Sequence, residues 1–131
     1  MVYLITGKAG AGKSHYGRAL AEELKSVGLD PVYMSGDIWR ALNDTSHPLY
    51  FTDEGRIENL MSVAKWAADL EEDGKIPILA FVAPKRKWRY RMRMRWQKSK
   101  VIYIPGGELW TGSSYEIPDL NEQNTLCLKL M

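Results

Sequence analysis

The sequence has 131 residues, ordinary apolar content, five tryptophans, seven tyrosines and a formal net charge of +2. This length suits a single domain over residues 1–131, and the aromatic content excludes a disordered chain. One cysteine, Cys127, excludes an internal disulfide; with no apolar run long enough for a membrane span and no signal-peptide pattern, we expect a cytoplasmic protein that contacts no membrane.

The first elements along the chain alternate between strand and helix. Val2–Thr6 is a short apolar run with β-branched residues, which predicts a buried strand. Apolar residues then recur at helical spacing over Lys13–Val27, and Gly28 follows where a left-handed residue commonly ends a helix. A second strand is predicted over Pro31–Met34 and a short helix over Ile38–Leu42.

The second half continues the alternation. Asp53 is predicted to cap a helix over Glu54–Glu72, and the apolar run Ile76–Val82 predicts a third strand. Further strands are predicted over Val101–Ile104 and Thr125–Leu130. Apolar strands that alternate with helices indicate a mostly parallel sheet covered on both faces, so we predict a compact three-layer α/β/α domain.

A phosphate-binding motif lies between the first strand and the first helix. It matches G-x-x-x-x-G-K-S at every fixed position and consists of Gly7, Lys8, Ala9, Gly10, Ala11, Gly12, Lys13 and Ser14. Glycines allow successive backbone N–H groups to face phosphate oxygens, and the helix that follows presents its positive end to the same anion. The motif predicts bound ATP and Mg²⁺, with Lys13 on the β- and γ-phosphates and the Ser14 hydroxyl on the metal.

Asp37 is the candidate second acidic group. It follows the second predicted strand, and the carboxyl ends of parallel strands line the ligand crevice, so Asp37 and the phosphate loop should open on the same edge. There it could hold Mg²⁺ or take the proton of an attacking hydroxyl. An equally weighted alternative is that Asp37 caps the helix over Ile38–Leu42.

Further short motifs follow the phosphate loop along nearly the whole chain. They are Ser35-Gly36-Asp37-Ile38-x-Arg40, Phe51-Thr52 with Arg56-x-x-Asn59, Ala80-Phe81-Val82-Ala83-Pro84, and Thr111-Gly112 before Tyr115-Glu116-x-Pro118. In this order and approximate spacing the set resembles the adenylylsulfate kinases. The resemblance implies a P-loop kinase fold of the nucleoside-kinase type and transfer of the γ-phosphate of ATP to the 3′-hydroxyl of adenylylsulfate, a step of sulfate assimilation.

The resemblance also implies roles for single residues. Asp37 would lie near the acceptor hydroxyl and the metal, and Lys13 would serve the transferred phosphate. Arg40, Arg56 and Asn59 would hold the phosphosulfate and ribose of the acceptor, and Phe51 would stack on its adenine. A homodimer is the form that the resemblance suggests.

The chain departs from the family after the strand over Val101–Ile104. Family members carry a mobile, lysine-rich lid there, whereas Pro105-Gly106-Gly107-Glu108-Leu109-Trp110 bridges the interval here. A lid excludes water and completes the charge clamp on the phosphoryl group. The missing lid favours one alternative, an ATP-binding protein without turnover. A second alternative, which the basic segment Lys85–Lys100 would favour, is a kinase for another hydroxyl such as a polynucleotide end.

A basic segment occupies Lys85–Lys100 and holds nine of the 18 Lys and Arg residues. The spacing of Trp88, Met92 and Trp96 favours a helix. Three interpretations remain: a solvated helix face, a replacement for the lid charges, and a nucleic-acid contact in which Trp88, Tyr90 and Trp96 stack on bases. The solvated face is favoured, and nucleic-acid contact is not.

Overall fold

The computed structural model describes residues 1–43, 52–107, 114–118, 122 and 125–127. These ranges contain strands and helices in alternation. The strands are β1 (Val2–Thr6), β2 (Pro31–Ser35), β3 (Ile76–Ala80), β4 (Ser99–Tyr103) and β5 (Thr125–Cys127), and the helices are α1 (Lys13–Ser26), α2 (Gly36–Leu42), α3 (Asp53–Glu72) and α4 (Arg86–Arg93). In this part of the chain, no helix has the length and apolar character needed to cross a bilayer.

The five strands form one sheet in the order β2-β3-β1-β4-β5, and every neighbouring pair is parallel. The carboxyl ends of all the strands therefore meet at one edge. The phosphate loop leaves β1 at this edge, and the Asp37 segment leaves β2 two strands away. This placement is the one that the sequence predicts for a ligand crevice.

The helices cover both faces of the sheet, as the alternation along β1 requires. Val2 and Leu4 face a core cluster shared with α3 and α4, whereas Ile5 faces a second cluster shared with α1. The larger cluster also includes Trp39 of α2 and the partly buried Trp88. The predicted three-layer α/β/α arrangement is confirmed.

Two helix caps differ from the predictions. α3 begins at Asp53 itself, and its cap is Thr52, whose Oγ1 accepts a hydrogen bond from the Gly55 N–H at 3.1 Å. At α2 the cap is Ser35, whose Oγ accepts from the Ile38 N–H at 3.2 Å. Asp53 and Asp37 therefore lie inside the first turns of their helices, and the interpretation of either as a cap is wrong.

The strand boundaries shift by one or two residues. β2 continues to Ser35, and β4 runs over Ser99–Tyr103 instead of Val101–Ile104. β3 ends at Ala80 and not at Val82, because the chain turns at Ala83, where φ is 40°. The last strand is confirmed over Thr125–Cys127, and the rest of its predicted range, 128–130, lies outside the described residues.

Candidate functional site

The phosphate loop connects β1 to α1 in a backbone shape that requires glycine. Gly10 and Gly12 have φ values of 78° and 100°, in the left-handed region that other residues seldom adopt. Gly12 is the N-cap of α1, and this helix begins with no side-chain cap bond and no acidic residue in its first turn. The amides of the first turn are thus left to an outside acceptor, and the helix end favours an anion.

Lys13 crosses the phosphate loop. Its Nζ donates a hydrogen bond to the carbonyl oxygen of Lys8 at 2.9 Å, which holds the ammonium over the loop. Burial lowers the pKa of Lys13, and the negative charge of Asp37 acts in the opposite direction. A nearby anion stabilises the charged form of a partly desolvated ammonium, so the position of Lys13 suits contact with a phosphate.

Asp37 and Arg40 form an ion pair on α2. A guanidinium nitrogen of Arg40 binds Asp37 Oδ1, and the Asp37 side chain is 89% exposed. The pair is i,i+3 on one helix, so it fixes the direction of the carboxylate without burying it. Ser35, the cap of this helix, lines the same cleft as both residues.

Arg56 and Asn59 lie on the first two turns of α3, which covers the opposite face of the sheet from α1. The guanidinium carbon of Arg56 lies 5.7 Å from the ring centroid of Trp88, which belongs to the first turn of α4. Such a placement is a cation–π contact. The predicted stacking residue Phe51 lies outside the described residues.

One cleft of about 710 Å³ joins these elements at the carboxyl edge of the sheet. Its walls hold the predicted residues Ala9, Gly10, Gly12, Lys13, Ser14, Asp37, Arg40, Arg56 and Asn59. Gly7, Lys8 and Ala11 complete the loop behind this wall. The volume is in the range of small-molecule sites, and the polar groups come from three separate elements.

The segment Phe81–Pro84 forms the floor of the cleft and contains a strained residue. Ala83 is fully buried with φ at 40°, a conformation that costs energy for a residue with a side chain. Its carbonyl oxygen accepts a 2.7 Å hydrogen bond from Arg89 Nη1. This hydrogen bond from Arg89 stabilises the turn at Ala83.

Arg89 is completely buried, and its charge is matched. Its Nη2 donates to Glu122 Oε1 at 2.8 Å and to the carbonyl oxygen of Glu116 at 2.6 Å. The guanidinium carbon also lies 5.5 Å from the ring of Tyr115. This one side chain therefore joins the floor of the cleft to the C-terminal segments of the chain.

Tyr115 connects the same segment to the end of β1. Its hydroxyl shares a 2.7 Å hydrogen bond with Thr6 Oγ1, which itself donates to the carbonyl oxygen of Val82 at 2.5 Å. Burial raises the pKa of Tyr115 to about 12, although the hydrogen bond with Thr6 and the charge of Arg89 act against this rise. The hydroxyl is therefore neutral throughout the physiological range.

The basic segment divides into a buried and an exposed face. Arg89 and Trp96 point inward, and Trp96 Nε1 donates to the carbonyl oxygen of Ala64 at 2.9 Å. The interpretation as a solvated helix face, with only the arginine stems covering the sheet, is wrong for Arg89, which is completely buried, and the burial of Trp96 excludes its stacking on a base. Among the described residues of this segment, Trp88 is the one that lines the cleft, so the structure does not favour a lid of replacement charges.

Sequence reasoning missed the roles of Trp88 and Arg89. A signal for Arg89 was present, because it lies three residues before Met92 and seven before Trp96, on the apolar face of α4. Its partner Glu122 is 33 residues away, and no local pattern indicates that pairing. The contact of Trp88 with Arg56 likewise depends on the packing of α4 against α3.

The donors present fit a magnesium nucleotide. The glycine-rich cradle, the uncapped helix end and Lys13 suit a polyphosphate. The hydroxyl of Ser14 and the carboxylate of Asp37 are hard oxygen donors, which Mg²⁺ prefers together with phosphate oxygens. Over the described ranges, no group of three or more His, Cys, Asp or Glu side chains forms a separate metal cluster.

A family profile and individual related proteins indicate the same family for this chain. The profile of the adenylylsulphate kinase family matches residues 1–105. The chain is 34% identical over 103 residues to an adenylyl-sulfate kinase of Burkholderia ambifaria, covering 79% of this chain and 56% of that protein. It is 37% identical over 92 residues to one of Paraburkholderia xenovorans, covering 70% and 50%.

Among solved structures, a hexameric APS kinase from Thiobacillus denitrificans matches with a TM-score of 0.78 and 28% identity. The match covers 98% of this chain and 24% of that one. The chain spans about half the length of the curated relatives it matches. The family profile therefore covers β1 to β4 and the residues that line the cleft, and it ends at residue 105, before β5.

Proposed function

The chain belongs to the adenylylsulphate kinase family, and from this premise we propose that it transfers the γ-phosphate of ATP to the 3′-hydroxyl of adenylylsulfate. The observation that carries the proposal is that residues of the phosphate loop, Asp37, Arg56 and Asn59 line one cleft of about 710 Å³. A nucleotide donor and a nucleotide-like acceptor would meet there.

On the donor side, the amides of the phosphate loop and the Lys13 ammonium bind the phosphate oxygens and stabilise the charge that develops during transfer. Ser14 and Asp37 would hold Mg²⁺, which would supply positive charge against the transferred phosphate. Catalysis of this kind is positioning together with electrostatic stabilisation, and no covalent enzyme intermediate is required.

On the acceptor side, Asp37 orients the attacking hydroxyl and accepts its proton as the new oxygen–phosphorus bond forms. The bond between the γ-phosphorus and the bridging oxygen breaks, and ADP leaves. Arg40 fixes the carboxylate by its ion pair, while Arg56 and Asn59 bind the anionic and ribose parts of the acceptor. Such a protein would act in sulfate assimilation.

A second candidate is nucleotide binding without turnover. It is favoured by residues 105–110, because this short interval stands where the family carries its lysine-rich lid. Phosphorylation of a polynucleotide end has less support, because the cations of the basic segment do not line the described part of the cleft.

The candidate functions differ in which acceptor, if any, receives the γ-phosphate of ATP. The protein is incubated with γ-labelled Mg·ATP and, in parallel, with adenylylsulfate or a 5′-hydroxyl oligonucleotide, and labelled products are resolved by chromatography. We expect label on adenylylsulfate. Label on the oligonucleotide would assign the other kinase activity, and ATP binding without any labelled product would support the binding role. The homodimer suggested by the family is checked in the same preparation by light scattering after gel filtration.

A further inference from the structure

The chain that leaves β4 runs along the phosphate loop. The Ile104 N–H donates to the carbonyl oxygen of Thr6 at 3.0 Å, which continues the parallel pairing of β4 with β1 beyond the sheet. Ile104 also approaches Gly7 so closely that a Cβ on Gly7 would lie 2.5 Å from the Ile104 carbonyl oxygen. The two segments therefore stay in backbone contact where the phosphate loop begins.

Gly107 makes a second and closer approach to the same loop. A Cβ on Gly107 would collide with the carbonyl oxygen of Ala9 and would lie 2.8 Å from the Ala11 nitrogen and 3.1 Å from the Lys8 carbonyl oxygen. All three neighbours are backbone atoms, which cannot swing away as a side chain can. The loop closes on itself at this point, since the Ala11 N–H donates to the Lys8 carbonyl oxygen at 3.2 Å.

We propose that Gly107 is a positioning residue for the phosphate loop: the turn at Pro105–Gly107 braces residues Lys8–Ala11 in the shape that receives a polyphosphate. The family profile ends at residue 105, so the contact of Gly107 lies beyond the residues that the profile matches. The turn approaches the phosphate loop from the end of β4, and the loop atoms nearest to Gly107 are all backbone atoms.

The physical basis is preorganisation. A loop of glycines and alanines has many accessible conformations, and holding it in one of them before the ligand arrives reduces the entropy lost on binding. The Gly107 backbone supplies that restraint because it has no side chain between it and the loop. A larger residue at this position would push Lys8–Ala11 out of place.

Gly106 offers a matched control. Its φ of 96° is as unusual as the 71° of Gly107, but a Cβ on Gly106 would meet nothing within 4 Å. Substitution by asparagine suits both positions, because asparagine tolerates the left-handed region better than other residues with a side chain. Gly106→Asn therefore tests the backbone conformation alone, and Gly107→Asn adds the collision with the loop.

This inference rests on the nucleotide-binding part of the proposed function, and the experiment keeps the two apart. The dissociation constant of a fluorescent ADP analogue with Mg²⁺ is measured for the wild type and both variants. We expect Gly106→Asn to stay within about twofold of the wild type and Gly107→Asn to bind about tenfold more weakly or worse, since losing about 1.4 kcal/mol of loop preorganisation raises the dissociation constant tenfold. Equal affinities for the two variants would overturn the brace.

Amide hydrogen exchange of residues 6–14 without nucleotide gives a readout that does not depend on binding. Exchange of this segment should become faster in Gly107→Asn and stay unchanged in Gly106→Asn; equal exchange would overturn the brace even if the wild type bound no nucleotide. Absence of binding by the wild type would instead sink the proposed function. Should Gly107→Asn fold poorly, Gly107→Ala places the smallest side chain against the same atoms.

Discussion

The guanidinium of Arg56 lies against the indole of Trp88, with its carbon 5.7 Å from the ring centroid. The two side chains come from α3 and α4 and both line the cleft. A guanidinium held against an aromatic face loses rotational freedom, so its fork of donors is directed before an anion binds. With Arg56 as the proposed acceptor ligand, Trp88 would act on the acceptor through Arg56.

Replacing Trp88 by leucine should therefore weaken acceptor binding. A cation–π contact at a partly exposed site contributes about 0.5–1 kcal/mol, which corresponds to a loss of about two- to fivefold in affinity for adenylylsulfate. Affinity for ATP should not change, and Trp88→Phe should retain most of the acceptor affinity. Titration calorimetry with each ligand measures both effects.

The control for this variant is Tyr33→Leu, which removes a similar contact away from the cleft, where Arg18 lies 6.0 Å from the Tyr33 ring. It should leave acceptor affinity unchanged. A double-mutant cycle with Arg56→Ala supplies the decisive comparison, since Trp88→Leu should have little further effect once Arg56 is gone. Additive losses would show that Trp88 acts on the acceptor by another route.

Arg89→Met should destabilise the fold strongly. It leaves the Glu122 carboxylate buried without its main cationic partner and removes donors from the carbonyl oxygens of Ala83 and Glu116. Loss of one partner of a buried ion pair costs about 3–5 kcal/mol. The free energy of unfolding in urea gives the value.

Arg91→Met, on the exposed face of the same helix, is the matched variant. It should change stability by no more than about 0.5 kcal/mol. Because the penalty comes from an unmatched buried charge, the double variant with Arg89→Met and Glu122→Leu should recover part of the loss. Equal effects of Arg89→Met and Arg91→Met would contradict the buried pair.

Tyr115 gives the fold a defined response to alkaline pH. Its pKa is raised from 10.0 to about 12 by burial, so the folded state keeps this proton where the unfolded state has lost it. The contribution of the buried, protonated Tyr115 to the free energy of unfolding is complete below pH 10 and is lost as the pH rises through about 12. Unfolding free energies should fall less steeply across this window in Tyr115→Phe than in the wild type; identical slopes would contradict the burial of the hydroxyl.

Nucleotide affinity should weaken at high pH because of Lys13. Burial lowers the pKa of this ammonium, and a bound polyphosphate, which favours the charged form, raises it again. Between the two pKa values, binding takes up a proton and affinity falls as the pH rises. Calorimetry in two buffers of different ionisation enthalpy measures that uptake, which should disappear in Lys13→Ala; uptake that persists in this variant would assign the proton to another group.

The sequence was sufficient for the features that depend on local pattern. The phosphate loop requires glycines at fixed spacing, so its position between β1 and α1 could be predicted. The apolar alternation of strands and helices predicted the layers and the parallel sheet, and strand polarity then placed Asp37 at the same edge as the loop. These inferences need only neighbours along the chain and one rule about sheet topology.

The remaining features depend on contacts between distant residues. Ser35 and Asp37 are both good capping residues. The helix begins directly after Ser35, so Ser35 and not Asp37 is its cap. The buried charge of Arg89 depends on Glu122, and the collision that excludes a side chain at Gly107 depends on how the turn after β4 meets the phosphate loop. The position of Arg89 on the apolar face of α4 indicates burial, but no local pattern identifies Glu122 as its partner or the turn after β4 as a neighbour of the phosphate loop.

The most direct test of the central claim is the rate of ADP formation from Mg·ATP with and without adenylylsulfate, measured for the wild type, Lys13→Ala and Asp37→Ala. The account predicts turnover that depends on adenylylsulfate in the wild type and is lost in both variants, while Asp37→Ala still binds ATP. ATP binding by the wild type with no adenylylsulfate-dependent turnover would contradict the kinase assignment and leave a nucleotide-binding role.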